Sequence, residues 1–247
     1  MLIVTPQEIN LISRVPGFNP PDDLIPYKGE LNLPLLRACQ ETLARWAGID
    51  IDIEIYSKPG VSGGYSLWYL DPPAIVMAPD VPYWIWFHEM GHIFTLQHLG
   101  KVITGPYNSI YSECLARILQ YTVSPFVGRM VPHMSDALYT DQQRGWKNVE
   151  EHREKYDKFV TFNDPTTPGD DTFNSFCLLA YEFVNQLTNY DREVPRLLSW
   201  FRNQDVIKFK KKWNGTDADR AEIMVNSFSY ALERNMDNHF EELGLPI

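Results

Sequence analysis

Apolar residues recur with two different periods along this chain, and the period changes near residue 80. In the segment 51–57 isoleucine alternates with aspartate and glutamate, which is the pattern of a half-buried strand. The short apolar segments 65–70 and 74–78 predict two further strands. Residues 33–48 carry apolar positions at helical spacing and end in glycine, so they predict a helix. The first third is therefore expected to be α/β.

Beyond residue 80 the alternating pattern nearly vanishes and helical spacing replaces it. The predicted helices span residues 81–99, 109–123, 147–159, 172–189, 194–203, 205–213 and 217–234. Together with the strands upstream, they predict an α+β fold that is mostly helical.

Proline, glycine and aspartate mark the irregular segments. Residues 1–30 contain five prolines and no sustained period, and are predicted to form an irregular surface arm. The segment 163–171 is expected to be a loop between lobes. We therefore predict one catalytic unit with a small N-terminal α/β lobe over residues 1–100 and a helical lobe over residues 101–247, with the helix at 81–99 between them.

The formal net charge of −10 opposes the phosphate attraction that nucleic-acid binding requires, so no nucleic-acid partner is expected. The negative net charge also disfavours electrostatic attraction of the protein to anionic membranes or sialylated surfaces. The one basic run, Lys208 to Lys212, is interpreted as a solvated helix face. Asn214-Gly215-Thr216 fits an N-glycosylation pattern, but a turn before the next helix explains it as well and is favoured.

Cys39, Cys114 and Cys177 are widely spaced, which predicts three buried thiols rather than disulfides or a thiolate metal site. No apolar run is long enough for a transmembrane helix, and none near the start resembles a signal peptide. A secreted or cell-surface location stays open if the sequence given begins after a leader. Compartment and oligomeric state are not predicted.

The segment WIWFHEMGHIFTLQHLG contains the pattern H-E-x-x-H at His88-Glu89-Met90-Gly91-His92. In a helix, His88 and His92 lie about 40° apart on one face and one turn from each other, so both imidazoles can reach one zinc ion. Glu89 projects beside them, where it can take a proton from a zinc-bound water. In so apolar a segment, unpaired imidazoles and a carboxylate would be costly to bury, which favours a metal over structural histidines.

A catalytic zinc site needs a third protein ligand and an open position for water. His98 has the spacing of the metzincin extension, but that pattern requires glycine where this chain has Thr95, and in a continuous helix His98 would point about 120° away from His92. The other candidate is Glu113, 21 residues past His92 in a second predicted helix. Two antiparallel helices would bring it opposite the histidines, which is gluzincin architecture.

This site predicts amide hydrolysis: zinc acidifies a bound water and polarises the scissile carbonyl, while Glu89 accepts the proton and passes it to the leaving amine. A further donor is needed for the developing oxyanion, and Tyr111, Tyr121, Tyr139 and Tyr181 are all candidates. Gly91 costs about 1 kcal/mol in a helix interior, which predicts a close approach of another chain segment there.

These residues resemble the enhancin-like family of gluzincin peptidases, which includes bacterial enzymes that cut mucin-type glycoproteins. WFHEMGH is similar to the family's active-site helix and SECLARILQY to its third-ligand helix. AYEFVNQLTNY and FSYALERNMDNHFEELGLPI resemble its Gln-Leu helix and closing segment. The resemblance covers short islands between residues 65 and 247.

The resemblance implies a zincin-like fold, one catalytic zinc ion held by His88, His92 and Glu113, a base at Glu89, no other cofactor, and a protein or O-glycosylated protein substrate. Two residues depart from the family pattern. Arg117 stands where a smaller polar residue is usual, which puts the surroundings of the ligands in doubt, and Leu243 replaces a closing tryptophan.

Two other functions fit the sequence. The first is an inactive relative that keeps zinc and its cleft and only binds glycoproteins or other proteins, although intact Glu89 argues against it. The second is a helical interaction protein in which His88 and His92 are structural. The aromatic stripe Trp84, Trp86 and Phe87 is interpreted as core packing rather than as a sugar-binding surface.

Overall fold

The computed structural model describes residues 25–26, 33–61, 63–79, 81, 83–99, 108–130 and 178–247. Over these residues the protein has an α+β fold that is mostly helical, as the sequence predicts. None of the helices within these ranges is long and apolar enough to cross a membrane. The predictions for residues 147–159 and 163–171, and those for Tyr139 and Cys177, lie outside the described residues.

The elements in chain order are β1 (Ile25–Pro26), α1 (Leu33–Ala47), β2 (Glu54–Ser57), β3 (Gly64–Leu67), β4 (Ala74–Met77), α2 (Tyr83–Leu99), α3 (Asn108–Met130), α4 (178–185 among the described residues), α5 (Tyr190–Arg202), α6 (Val206–Trp213), α7 (Asp217–Leu232) and α8 (Asp237–Glu242).

The strands form a small mixed sheet in the order β1-β2-β4-β3. The central pair β2 and β4 is parallel, with Ile55 opposite Ile75, and the outer strands β1 and β3 pair antiparallel to their neighbours. All of β4 is buried, which explains its uninterrupted apolar sequence. The predicted strands 51–57 and 65–70 are shorter than expected, and β1 forms within the predicted irregular arm.

Helix α3 is seven residues longer than the predicted 109–123 at its C-terminal end, because it continues past Pro125. Proline removes one backbone donor and crowds the preceding turn, so it normally ends a helix. Here Val123 and Val127, on either side of it, are fully buried against α1 and α2. Their burial favours continuation of the helix over a break.

The prediction of one helix over 172–189 is wrong at its end, since α4 stops at residue 185 and α5 begins at Tyr190. Glu193 explains the corner between the two helices. Its buried carboxylate accepts hydrogen bonds from the backbone N–H groups of Thr188 (2.7 Å) and Asn189 (2.8 Å) and from the Thr188 hydroxyl (2.8 Å). This side chain satisfies donors that the chain reversal leaves without helical partners.

The C-terminal helices largely follow the predictions. Asp205 caps α6, and Thr216 forms a capping box with Asp219 at the start of α7, so Asn214-Gly215-Thr216 is a turn. Helix α7 ends two residues early, where Glu233 adopts a left-handed conformation with φ of 56°. The six-residue helix α8 was not predicted, since it is too short to show a helical period.

Helix α3 belongs to two hydrophobic cores. Leu119 and Val123 pack in the N-terminal core with α1, α2 and the sheet, whereas Leu115 and Ile118 pack in the C-terminal core with α4 and α7. Cys39 and Cys114 are buried in these two cores and form no disulfide bond, as predicted. The helix therefore joins the two halves of the molecule.

Polar contacts also join the two halves at the C-terminal end of α1. The Arg202 guanidinium donates to the Ala47 carbonyl at 2.5 Å, and Asp191 accepts from the Trp46 indole N–H at 2.9 Å and from Arg45 at 3.0 Å. These contacts hold α5 against α1 and next to the helix pair formed by α2 and α3.

Candidate metal centre

Helices α2 and α3 pack against each other at a very short separation. A β-carbon on Gly91 would lie 2.9 Å from the carbonyl oxygen of Ala116 and 3.0 Å from its Cα. Any larger residue at position 91 would thus force backbone apart. The close approach predicted from Gly91 is present, and it brings the side chains of the two helices together.

Near this contact, the side chains of His88 and His92 on α2 lie against the side chain of Glu113 on α3. His88 Nε2 lies 2.8 Å from Glu113 Oε2, and His92 Nε2 lies 3.3 Å from Glu113 Oε1. The two imidazole rings are nearly perpendicular, with centroids 4.7 Å apart. The three side chains predicted from the sequence as metal ligands are thereby brought into one cluster.

The three side chains can hold a metal ion, since each offers a donor atom and these atoms all lie within 4.8 Å of one another. Two ligand atoms on a tetrahedral zinc ion stand about 3.3 Å apart, given bond lengths near 2.0–2.1 Å. His92 Nε2 and Glu113 Oε1 already stand at this separation.

The Nε2 atom of each histidine lies against Glu113, which leaves Nδ1 as the second polar atom of each ring. The Nδ1 atoms of His88 and His92 are buried, and neither has a hydrogen-bond partner among the residues that the structure describes.

Burial and mutual charge set the ionisation of the cluster. Burial lowers the pKa of His88 to about 4, so this imidazole is neutral and available as a ligand at pH 7. Burial also opposes protonation of His92, but the carboxylates of Glu113 and Glu89 outweigh it and raise the His92 pKa. For Glu113 burial alone would raise the pKa, yet the two imidazoles hold it well below its usual range. The Glu113 carboxylate is therefore ionised.

Glu89 is buried beside the cluster and does not join the three donor atoms. Burial raises its pKa to about 7, and the Glu113 carboxylate adds to the rise. A carboxyl group with a pKa near neutrality can both accept and return a proton at physiological pH. This is the chemistry predicted for position 89.

Arg117 lies one turn beyond Glu113 on α3, and it is 7% exposed. Its guanidinium carbon is 5.5 Å from the centroid of the Trp84 ring of α2 and 5.9 Å from that of Tyr121, and Nη1 donates to Gln120 Oε1 at 3.0 Å. Trp84 in turn lies one helical turn before His88. Arg117 therefore lies one helical turn away from the His88–His92–Glu113 cluster.

Sequence reasoning interpreted Trp84 as core packing and named Tyr121 only as a possible oxyanion donor, so it missed the contacts of both rings with Arg117. Their positions carry a signal, because Trp84 precedes His88 by four residues and Tyr121 follows Arg117 by four, the spacing of one helix face. Trp86 and Phe87, by contrast, are core residues as predicted.

The remaining candidates fall elsewhere. Helix α2 continues to Leu99 without a turn at Thr95, whose hydroxyl donates to the Gly91 carbonyl at 2.9 Å, so the turn that a metzincin site requires is absent from α2. Tyr111 packs against Trp213, and Tyr181 also lies in the C-terminal core. Of the described tyrosines proposed as oxyanion donors, Tyr121 is the one that packs beside Arg117.

Comparison of the chain with family models, with curated proteins and with solved structures finds no match.

Proposed function

We propose that this protein is a zinc-dependent endopeptidase of the gluzincin type, with a zincin-like fold. The observation that carries the proposal is the buried His88–His92–Glu113 cluster with Glu89 beside it. Two imidazoles and one carboxylate are the ligand set of many catalytic zinc sites, which keep a fourth position for water. None of the three described donor residues is a cysteine, which disfavours a soft ion such as Cu(I) that prefers sulfur ligands.

The chain's own residues supply the rest of the chemistry. When bound, zinc supplies a Lewis acid that acidifies water and polarises a carbonyl. Glu89, with a pKa near 7, accepts the proton of the attacking water and delivers it to the leaving amine as the peptide bond breaks. His88, neutral at pH 7, and ionised Glu113 are in the protonation states that ligands need.

The proposed substrate is a protein, and the resemblance to enhancin-like peptidases favours O-glycosylated, mucin-like proteins. The preference for O-glycosylated substrates rests on that resemblance alone. The alternative is a protein that binds zinc and glycoproteins without cleaving them. Glu89 distinguishes the two, since a binding module has no need of a buried carboxyl group of near-neutral pKa.

The test combines metal analysis with cleavage assays. Protein purified without added zinc should carry close to one tightly bound equivalent, and should cut bare or O-glycosylated peptides in a chelator-sensitive reaction read by mass spectrometry. Glu89→Gln should keep the zinc and lose cleavage by a factor of about 10² or more. Glu182→Gln changes another buried carboxylate, outside the cluster, and should keep both properties.

Three outcomes would contradict the proposal. Less than about half an equivalent of zinc would exclude the metal centre, and cleavage by Glu89→Gln at the wild-type rate would exclude the assigned base. Glycopeptide binding without turnover, in fully zinc-loaded protein, would establish the binding module instead.

A further inference from the structure

Trp84 of α2 lies against Arg117 of α3 beside the proposed metal centre. The guanidinium carbon of Arg117 is 5.5 Å from the centroid of the Trp84 ring, within the range of a cation–π contact. Trp84 is only partly buried, and it is not among the residues of the hydrophobic cores that the described residues form. Core packing therefore does not account for the position of this ring.

The contact at Trp84 is on the same face of α2 as the close approach at Gly91. Gly91 follows Trp84 by seven positions, which at about 100° per residue returns it to within about 20° of the same direction. The helical rise places the two residues about 10 Å apart along the axis. His88 stands between them in the sequence and within about 60° of both in direction.

The core holds a different face of α2. Trp86, Met90 and Ile93 are buried in the N-terminal core, and they lie roughly 140–160° around the helix from His88. The orientation of the ligand-bearing face towards α3 therefore depends on contacts made on that face itself.

Two separated contacts constrain a helix more than one does. At Gly91 the backbones of α2 and α3 meet, which limits their separation but lets α2 tilt about that point. The contact of Arg117 with Trp84, about 10 Å away along α2, opposes such a tilt because the tilt would separate the guanidinium from the ring. Metal ligands need this kind of support, since their donor atoms must be held to within about 0.5 Å.

We propose that Arg117 is a positioning residue of the metal centre, which by its contact with Trp84 holds α2 and α3 in the arrangement that zinc binding requires. The proposal rests on the metal centre of the proposed function and deepens it. Arg117 acts here through another side chain, so this role is not a catalytic one.

The charge of Arg117 alone predicts the opposite effect on zinc affinity. A cation beside a divalent ion repels it, so removal of the charge alone should raise the affinity for zinc. Removal of a positioning contact should lower the affinity, because zinc must then align the two helices as it binds. The sign of the change distinguishes the two roles.

Zinc affinity of the full-length Arg117→Met variant tests the proposal, by competition against a chelator of known affinity. Methionine keeps an unbranched apolar side chain and removes the planar cation. We expect an affinity about tenfold lower than that of the wild type, at the lower end of the range for groups that orient metal ligands. Unchanged or higher affinity would overturn the proposal.

A double-mutant cycle with Trp84→Leu shows whether Arg117 acts through this ring. Trp84→Leu should lower the zinc affinity by a similar factor, and the double variant should bind little more weakly than either single variant. Factors that multiply in the double variant would overturn the proposal. Should Arg117→Met fail to fold, Trp84→Leu is compared with Trp84→Phe, which keeps an aromatic face and should retain most of the affinity, and equal affinities would then overturn the proposal.

Arg196 provides a matched control. Its guanidinium carbon is 5.2 Å from the centroid of the Tyr230 ring, so it makes the same kind of contact between α5 and α7, outside the metal cluster. Arg196→Met should lower the melting temperature and leave zinc affinity unchanged. The absorption bands of the Co(II)-substituted protein, which report coordination geometry, should change in Arg117→Met and not in Arg196→Met. A lower melting temperature of Arg117→Met with wild-type zinc affinity and cobalt bands would make Arg117 a merely structural residue.

Failure of this proposal and failure of the proposed hydrolysis are distinguishable. Zinc binding without cleavage contradicts the hydrolysis alone. Zinc binding that is insensitive to Arg117→Met contradicts the positioning role alone, and a wild-type protein that binds no zinc contradicts both.

Discussion

Gly91 of α2 lies against Ala116 of α3 so closely that a β-carbon on the glycine would be 2.9 Å from the alanine carbonyl oxygen. The opposing atoms belong to the backbone and cannot move aside as the end of a side chain can. This contact sets the separation at which His88 and His92 reach Glu113.

Gly91→Ala is therefore expected to destabilise the protein and weaken zinc binding, although alanine is the better helix former by about 1 kcal/mol. Overpacking of this kind costs roughly 1–3 kcal/mol. Thermal unfolding of the zinc-free protein and zinc titration measure the two effects. A rise in melting temperature would show that helix propensity outweighs the contact, contrary to the geometry.

Glu113→Gln should lower zinc affinity by at least about tenfold while leaving the fold intact. The amide keeps the shape of the side chain but loses the charge that the two imidazoles stabilise. Competition against a chelator of known affinity provides the measurement. Glu182→Gln, which removes a buried carboxylate outside the cluster, serves as the control, and unchanged affinity in Glu113→Gln would remove this residue from the ligand set.

The stability of chelator-treated protein should depend on pH through Glu89. Burial raises the pKa of this carboxyl group from 4.5 to about 7. The folded state therefore holds the proton more tightly than the unfolded state, and the associated stability is present below pH 4.5 and is lost as the pH rises through about 7.

Glu89→Gln removes this ionisation. Relative to the wild type it should be more stable by roughly 2–3 kcal/mol at pH 8 and about equal at pH 4.5, as measured by urea unfolding. Glu241→Gln, an exposed change on α8, serves as the control. A constant difference between pH 4.5 and pH 8 would contradict the burial of Glu89.

Glu193→Ala should destabilise the C-terminal half, because it leaves the two backbone donors and one hydroxyl at the α4–α5 corner without their acceptor. A loss of about 2–3 kcal/mol is expected, which lowers the melting temperature by roughly 5–10 °C for a protein of this size. Glu242→Ala on the surface should change stability by no more than about 0.5 kcal/mol. Similar melting temperatures for both variants would contradict the role of Glu193.

Cys39 should resist alkylation in the native protein. The side chain is fully buried, and burial raises the pKa of its thiol well above its usual value, so little reactive thiolate forms. Iodoacetamide labelling followed by peptide mass spectrometry should modify Cys39 only after unfolding. Rapid native labelling would place this residue at the surface.

The clustering of His88, His92 and Glu113 could be predicted because most of its geometry is local. One helical turn fixes the relation of His88 to His92, and only the pairing with Glu113 depended on a tertiary assumption. Other features depend on contacts distant in sequence. Burial of Val127 extends α3 past Pro125, and Arg117 finds its aromatic partner Trp84 on another helix. The periodicity of the local sequence predicts neither feature.

The corner at Glu193 and the short helix α8 could not be predicted from the sequence for a second reason. The Glu193 carboxylate accepts the backbone hydrogen bonds that form the corner between α4 and α5. The pattern of hydrophobic residues does not predict such a hydrogen bond. Six residues likewise complete fewer than two helical turns, too few to establish a period.

The division of the ligands between α2 and α3 has a thermodynamic consequence. An ion bound to His88, His92 and Glu113 would be a crosslink between the helix that carries the N-terminal core and the helix shared by both cores. Ion concentration and folding would then be linked by mass action, with about 1.4 kcal/mol of added stability for each tenfold excess over the dissociation constant. The availability of metal would then contribute to the free energy of unfolding of the protein.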